Sequence, residues 1–558
     1  MKKLFLLFFL FLSVASQAFA RTPLMPVEDL KAGMRGYAKT VISGDTIETF
    51  PVEVLGVTGS DSMGYQILIR ADGDVLARSG GIAQGMSGSP VYIDGRLAGA
   101  IAYGKAFTDP HYCLLTPIHD MLDMLDKPEP HRAVSPSLLP KGTPLMAGGF
   151  TSAGISILED GLKPFGMTVA DTGTPGTASS VKDLEPGSSV GAALIQGDLT
   201  LGALGTVTWT DEQGRILAFG HPFANRGAAD FFLTKTWVLA SIPNLQAAYK
   251  VGNIGVAAGT FNQDRNAGIA GQIGRLPAFI PVYVSVSDST RSRNGSARVK
   301  IVNDEQMAHK LAAAVLVSQA AKIADHGKGG SARVRFDITA RDGKGELLHI
   351  FRDNMFFDKE AIVKPLPAEL QETVQVLLQN KLEKVRITNI DVNVDASTEA
   401  LIAEIKKVSV KEKEPKPGDT IHLQVTLKPY REPEFVRTVP YKLPRDAGGE
   451  VRLNVRGGAS MAWVQELLRK QKEGEESQAK KEEKKKDVKL SDYVKEVNQA
   501  DRNNDIIVEF APDRKRQAVR DDEEEESLAS LLAGGRHKQS VAIDYIVDGE
   551  QKVTVRLP

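Results

Sequence analysis

The sequence predicts a mainly β protein of several domains, on three observations. Apolar residues recur at every second position in short runs, as at Phe50, Val52 and Val54 and at Tyr65, Ile67 and Ile69; strands with one buried face have this period. Val91 and Ile93 run into Asp94-Gly95 and return through Leu97 and Ile101, a hairpin signal because glycine tolerates the positive φ of a tight turn. A later stretch alternates at Ile390, Val392 and Val394, then at Ile421, Leu423, Val425 and Leu427 after the turn Lys416-Pro-Gly-Asp419. With 558 residues, 42% of them hydrophobic, the chain can fill several cores, so roughly two to four domains are expected. A net charge of −1 and a pI near 6.8 give no global attraction to nucleic acid or to an anionic membrane.

Residues 1–20 read as a signal peptide. Lys2 and Lys3 precede an apolar run over 4–12, and Ala18-Phe19-Ala20 fits the small-x-small cleavage pattern. Cleavage there leaves Arg21 first, without a lipid-bearing cysteine. No later apolar run is long enough to span a bilayer, so no transmembrane anchor is expected after cleavage. The expected location is periplasmic or secreted. One cysteine, Cys113, excludes an intrachain disulfide. Beside Tyr112, Leu114 and Leu115 it reads as a small core residue rather than a catalytic thiol.

Taken in order, residues 21–140 form a β half that ends in a short helix near 118–125 and the break Lys127-Pro-Glu-Pro-His-Arg132. Residues 141–375 open Gly- and Ser-rich and turn to strands. Val207 and Trp209 lead into the turn Asp211-Glu-Gln-Gly214, and Arg215-Ile-Leu-Ala-Phe-Gly-His221 returns as a strand ending on His221. Further strands are expected at 278–286, 297–302 and 332–340. A helix over 304–324 follows from Met307, Leu311, Val315 and Ile323, with Asn303 or Asp304 as cap. A second helix, 368–380, begins after Pro367, which suits a first turn.

Residues 383–458 read as a β-sandwich, with further strands at 435–443 and 451–455. Short alternating strands between turn signals suit an immunoglobulin-like arrangement. The charged stretch 459–535 interrupts it, with a helix near 461–472, a Lys/Glu block and the acidic run 521–526. Such blocks are solvated or disordered rather than packed. Residues 536–558 are expected to close the sandwich with a hairpin about Asp548-Gly549.

Chemistry concentrates in the Gly-rich stretch before the first hairpin, Gly80-Gly-Ile-Ala-Gln-Gly-Met-Ser-Gly-Ser-Pro90. It presents Ser87 on a tight turn, where its own N–H and that of Gly85 can share one hollow. A nucleophile beside two fixed donors is what acyl transfer requires. Nine histidines could supply a base. His221 stands out because Gly220 and Pro222 fix its backbone on both sides; His111 and His119 lie nearer to Ser87 in sequence and remain rivals.

These residues carry a resemblance. The serine run and the following Gly99-Ala-Ile-Ala are similar to the signature of the SpoIVB-type (stage IV sporulation protein B) serine peptidases, a family grouped with chymotrypsin-like double β-barrel enzymes. Gly-Met-Ser-Gly-Ser-Pro90 resembles the Gly-Asp-Ser-Gly-Gly-Pro run around the chymotrypsin nucleophile, which implies Ser87 and not Ser89. The family's aspartate stands fifteen residues before its serine, which implies Asp72 as the orienting acid, with Asp74 its near rival. Gly220-His221 matches the family's Gly-His motif. In the family the histidine motif precedes the serine motif; here the serine comes first, so the two half-sites are joined in permuted order. No PDZ domain precedes the catalytic halves, and the resemblance covers roughly residues 30–350.

The resemblance implies an exported serine endopeptidase that cleaves envelope or secreted proteins, itself included. Ser87 attacks, His221 takes its proton, Asp72 holds the imidazole, and the N–H groups of Gly85 and Ser87 receive the oxyanion. Protein or peptide is the implied substrate, and no cofactor or metal is implied. Two other classes remain: a catalytically silent peptidase-fold scaffold whose C-terminal sandwich binds an envelope protein or glycan, and an acyl hydrolase acting on esters or cell-wall substrates.

Overall fold

The computed structural model describes residues 22–60, 64–104, 108–126, 139–140, 144–173, 183–244, 247–324, 329–459, 489–510 and 537–558. The expected signal peptide lies outside these residues, as does the expected helix at 461–472. Among the described residues no helix is long and apolar enough to cross a membrane.

The first barrel is built from β1 (Arg35–Thr40), β2 (Glu48–Ser60), β3 (Gly64–Ala71), β4 (Pro90–Ile93), β5 (Arg96–Gly104) and β6 (Tyr112–Pro117). They pair in the ring β4-β1-β2-β3-β6-β5, and β5 returns to β4, so the sheet closes on itself. The alternation read at Phe50, Val52 and Val54 and at Ile67 and Ile69 is the inward set, packed with Val91, Ile93, Ile101 and Cys113. Asp94 and Gly95 make the expected hairpin turn with φ of 49° and 73°. A six-residue helix, α1 (Asp74–Ser79), which the sequence reading did not single out, leads into the Gly-rich stretch. Gly73 and Gly80 bracket it so tightly that no helical period can show. The helix α2 (Ile118–Asp126) stands where expected, and β7 (Leu139–Pro140) adds to β5 outside the ring.

The second region starts with β8 (Leu145–Gly148), α3 (Ser152–Leu162) and β9 (Val169–Asp171). No periodic signal announces α3, because Gly154 and Gly161 disfavour a helix. Both face α4 (Ala308–Ala324), and a Cβ on either would strike Ser318 or Lys310. Then come β10 (Ser189–Gly197), β11 (Thr200–Thr210), β12 (Arg215–Ala218), β13 (Gly227–Ile242), β14 (Tyr249–Arg265) and β15 (Gly268–Ile273). Their pairings run β10-β13-β14-β15-β12-β11 and return from β11 to β10, a second ring of six strands. The expected strand through His221 stops earlier, at Ala218.

The same sheet continues past β10 through β16 (Phe279–Asp288), β17 (Arg293–Val302), β18 (Gly330–Arg341), β19 (Leu347–Asp358) and β20 (Arg386–Ser397). Here α4 packs on β16 and β17, and α5 (Ala368–Gln379) packs on α4. The expected cap is present, with Asp304 Oδ1 accepting from the Gln306 and Met307 N–H groups, although the helix proper begins at Ala308. Pro367 is the N-cap of α5 rather than its first residue.

Strand β20 corrects the sandwich boundary. Ile390, Val392 and Val394 alternate as read, yet β20 lies between β16 and β18 in the large sheet. Alternation identifies a strand but not the sheet that owns it. The C-terminal unit comprises β21 (Ile402–Val410), β22 (Thr420–Pro429), β23 (Phe435–Lys442), β24 (Glu450–Gly457), β25 (Asp505–Phe510), β26 (Gln539–Ala542), β27 (Ile546–Asp548) and β28 (Glu550–Arg556), while α6 (Leu490–Gln499), between β24 and β25 in the chain, packs on β19 and buries Leu490 and Val494 in the core of the large sheet. Two four-stranded sheets, β23-β22-β21-β27 and β26-β25-β24-β28, share one core around Leu423, Val425, Tyr441, Leu453 and Val508. Two further expectations change. Strand β25 lies within the stretch read as a charged insertion, yet it is central to the second sheet. Asp548-Gly549 is no hairpin, because β27 pairs with β21 while β28 pairs with β24, so the turn carries the chain from one sheet to the other.

Candidate active site between the two barrels

Ser87 ends a turn that leads into β4 of the first barrel, and His221 follows β12 of the second. A small core of Tyr92, Leu97, Ala100, Ile118, Met121, Leu217 and Ala270 welds the barrels together beside them. The weld continues in hydrogen bonds. Thr206 N–H donates to the Ser87 carbonyl at 2.8 Å, and Thr208 Oγ1 donates to the Gly88 carbonyl at 2.8 Å. From the other side Thr116 Oγ1 donates to the Gly220 carbonyl at 2.6 Å.

Glycine is obligatory where the two segments touch. Gly88 has φ of 90°, and a Cβ there would overlap the Thr206 carbonyl and stand 2.5 Å from Phe219 N. The backbone just before His221 thus lies against the residue just after Ser87. Phe219 itself holds φ of 69°, and Gly220 holds 65°. A left-handed phenylalanine is a strained position, and such positions collect at functional sites. These two left-handed residues end β12 and turn the imidazole to a place 6.1 Å, ring to ring, from Tyr103 of the first barrel.

The imidazole is held neutral. His221 is 2% exposed, and burial pulls its pKa down to about 4, with the hydrogen bond to Pro222 opposing. Its Nδ1 lies 2.7 Å from the Pro222 carbonyl, which can only accept, so the proton is on Nδ1 and Nε2 carries the free lone pair. Nε2 is buried with no hydrogen-bond partner, and the buried Ser87 Oγ has none either. Unsatisfied buried polar atoms are rare in folded proteins and call for an explanation. Here a nucleophile type and a base type are both left open at one interface.

The turn holding Ser87 also prepares two donors. Lys250 N–H donates to the Gln84 carbonyl at 2.9 Å, and Ser89 N–H donates to the Met86 carbonyl at 2.9 Å. In a planar trans peptide the N–H points opposite to its carbonyl. The Gly85 and Ser87 N–H groups therefore point away from these anchors, and neither is hydrogen-bonded among the described residues. Gly85, at φ of 90°, permits the geometry.

Asp72 is placed differently from the reading. Its carboxylate is 70% exposed, Oδ1 accepts from Gly73 N–H at 2.8 Å, and Oδ2 is 3.9 Å from Arg70. It makes no hydrogen bond with His221, whose Nδ1 is held by the Pro222 carbonyl instead. Asp74 is more exposed still and pairs with Arg78. The rival base His111 is paired with Asp109 at 2.7 Å on an exposed loop. His119 lies on α2, in an exposed position. Cys113 is buried in the barrel core, as expected.

Two residues escape a sequence reading. Asp264, on β14, accepts from the N–H groups of Phe223, Ala224 and Arg226 at 2.7, 2.8 and 3.1 Å, which fixes the loop after His221. Burial raises its pKa, and those three hydrogen bonds act against the shift. Lys250, on the same strand, is fully buried behind the Ser87 turn. Each sits in an ordinary strand pattern, so nothing in its neighbourhood marks it.

The site's serine half coincides with a match to a known family. Residues 16–121 match the family described as SpoIVB peptidase S55. That segment is of the SpoIVB type. It includes Ser87, Asp72 and the whole first ring of strands, while His221 lies beyond it. Searches of curated proteins and of solved structures give no match.

Proposed function

We propose that this protein is an exported serine endopeptidase, working on envelope or secreted proteins and on its own chain. The observation that carries the reading is the pair of open, buried atoms, Ser87 Oγ and His221 Nε2, at the contact where Gly88 meets Phe219. In this reading the two rings are the barrels of a chymotrypsin-like enzyme with serine and histidine halves in permuted order, and the C-terminal sheets are an immunoglobulin-like sandwich for a partner protein or glycan. Ser87 attacks the scissile carbonyl as Nε2 of His221 takes its proton. The Gly85 and Ser87 N–H groups hold the oxyanion, and the imidazolium returns the proton to the leaving amine. The role of a triad acid, fixing the tautomer, falls to the Pro222 carbonyl with Asp264 bracing the loop behind it.

The test is covalent labelling. A fluorophosphonate probe is expected to modify wild-type protein at Ser87, located by peptide mass mapping, and to leave Ser87→Ala unmodified. An adduct that persists in that variant overturns the nucleophile. A second reading, the silent scaffold, draws on the closure of the site, since Ser87 and His221 are 0% and 2% exposed. It requires no adduct over many hours and identical fragment patterns from wild type and Ser87→Ala.

Asp72 gives a separate expectation. Because its carboxylate is solvated and bonded away from the imidazole, Asp72→Asn should change the labelling rate less than about threefold, in contrast to the roughly 10⁴-fold loss when a true triad acid is amidated. A loss of that larger order restores Asp72 to the triad.

A further inference from the structure

A fully buried lysine lies behind the turn that presents Ser87, and the mechanism above does not use it. Lys250 is 0% exposed, and its Nζ donates to Thr40 Oγ1 at 3.1 Å and to Thr206 Oγ1 at 3.5 Å. Those partners, on β1 and β11, are hydroxyls. Its cross-strand neighbour on β13 is Ser241, and the turn beside it offers Gln84. Among the described residues no carboxylate pairs with it. Desolvation lowers its pKa to about 7. A buried ammonium without a counter-charge opposes folding, and an apolar chain of that length would serve the core better. Something other than packing accounts for it.

The hydrogen bonds show where its influence goes. Lys250 Nζ donates to Thr206 Oγ1, and Thr206 Oγ1 donates in turn to the Gly85 carbonyl at 3.0 Å. Thr206 N–H holds the Ser87 carbonyl, and Lys250 N–H holds the Gln84 carbonyl. Three carbonyls of the 84–87 turn are therefore tied to two residues of the second barrel.

We propose that Lys250 is a positioning residue of the Ser87 site: through Thr206 its ammonium locks the 84–87 turn with the Gly85 and Ser87 N–H groups free, and it sets a positive charge behind the hole they form. The inference rests on the serine-hydrolase reading for its electrostatic half only. The locking half stands on the hydrogen bonds. Because the charge is fixed before reaction and shielded from water, it favours an oxyanion at no cost in reorganisation.

Lys250→Met tests both halves when fluorophosphonate labelling is combined with hydrogen exchange. The variant is expected to melt at the same temperature as wild type or higher. Its Ser87 labelling should be slower by roughly tenfold or more. Wild-type labelling should decline above about pH 7, where the ammonium loses its proton, and the variant should lack that decline. Exchange should quicken in the peptide spanning 84–89 and stay unchanged in β2 and β3. Unchanged labelling and unchanged exchange at 84–89 overturn the proposal, and so does a uniform rise over the whole first barrel. Wild type that takes no label while exchange at 84–89 still quickens in the variant sinks the hydrolase reading but leaves the locking role. Should Lys250→Met not fold, Thr206→Val removes the relay hydroxyl with the lysine in place and must reproduce the selective exchange change.

Discussion

Replacing His221 by glutamine is expected to slow acylation of Ser87 by on the order of 10⁶-fold while leaving the protein folded. The amide side chain can still donate to the Pro222 carbonyl, which His221 Nδ1 does at 2.7 Å, but it has no basic lone pair where Nε2 stands. Stopped or hours-long labelling assays read the rate, and a variant within tenfold of wild type would mean that another group takes the proton. Stability supplies an independent check with a definite sign. The folded-state pKa of His221 is lowered to about 4, whereas an unfolded histidine titrates near 6.5. Between those values the unfolded chain binds the extra proton, so wild-type stability falls as pH drops through that window, by roughly 3 kcal/mol at pH 4. His221→Gln removes this dependence. The difference between wild-type and variant denaturation midpoints should therefore be small at pH 8 and shift in the variant's favour towards pH 4.

How much of this was legible beforehand depended on whether the information was local. The hairpin at Asp94-Gly95 and the strands through Val52 and Ile69 rest on turn chemistry and period, and both stand as read. Ser87 was conspicuous because four glycines and a proline crowd around it, and Gly88 turns out to be needed at a backbone contact 118 residues away in sequence, with Thr206. His221 was picked out by its rigid flanks, and those flanks do turn it inward. Ownership of strands was not legible. Nothing in Ile390-Asp-Val-Asn-Val394 says that it joins β16 rather than β21, and nothing in Asp505–Phe510 separates it from the charged stretch around it except its own four buried residues. The partners of single polar groups were equally out of reach. The family resemblance implies Asp72 by its distance from the serine, yet that distance does not say which way a carboxylate faces. Asp264 and Lys250 matter because of what the fold brings against them, namely three amides in one case and a turn of the other barrel in the other.

The second large effect concerns that contact between barrels. Gly88→Ala is expected to destabilise the protein by on the order of 3 kcal/mol or more and to abolish labelling of Ser87 even where the fold survives. Two penalties add. The residue must keep φ near 90°, which an L side chain rarely adopts, and the new methyl must enter space held by the Thr206 carbonyl and by Phe219 N, 2.5 Å away. Neither neighbour is the free end of a flexible side chain; both are backbone, so relief requires the barrels to part or the turn to change course. Either movement breaks the bond from Thr206 N–H to the Ser87 carbonyl and carries Ser87 away from His221. Denaturant midpoints measure the first penalty and probe labelling the second. Gly95→Ala provides the contrast: it also has positive φ, at 73°, but a Cβ there meets nothing within 4 Å. It should show the backbone strain alone, about 1 kcal/mol, with labelling intact. If both variants lose the same stability and both still react at Ser87, the barrels do not depend on Gly88 for their approach, and the active site has been drawn in the wrong place.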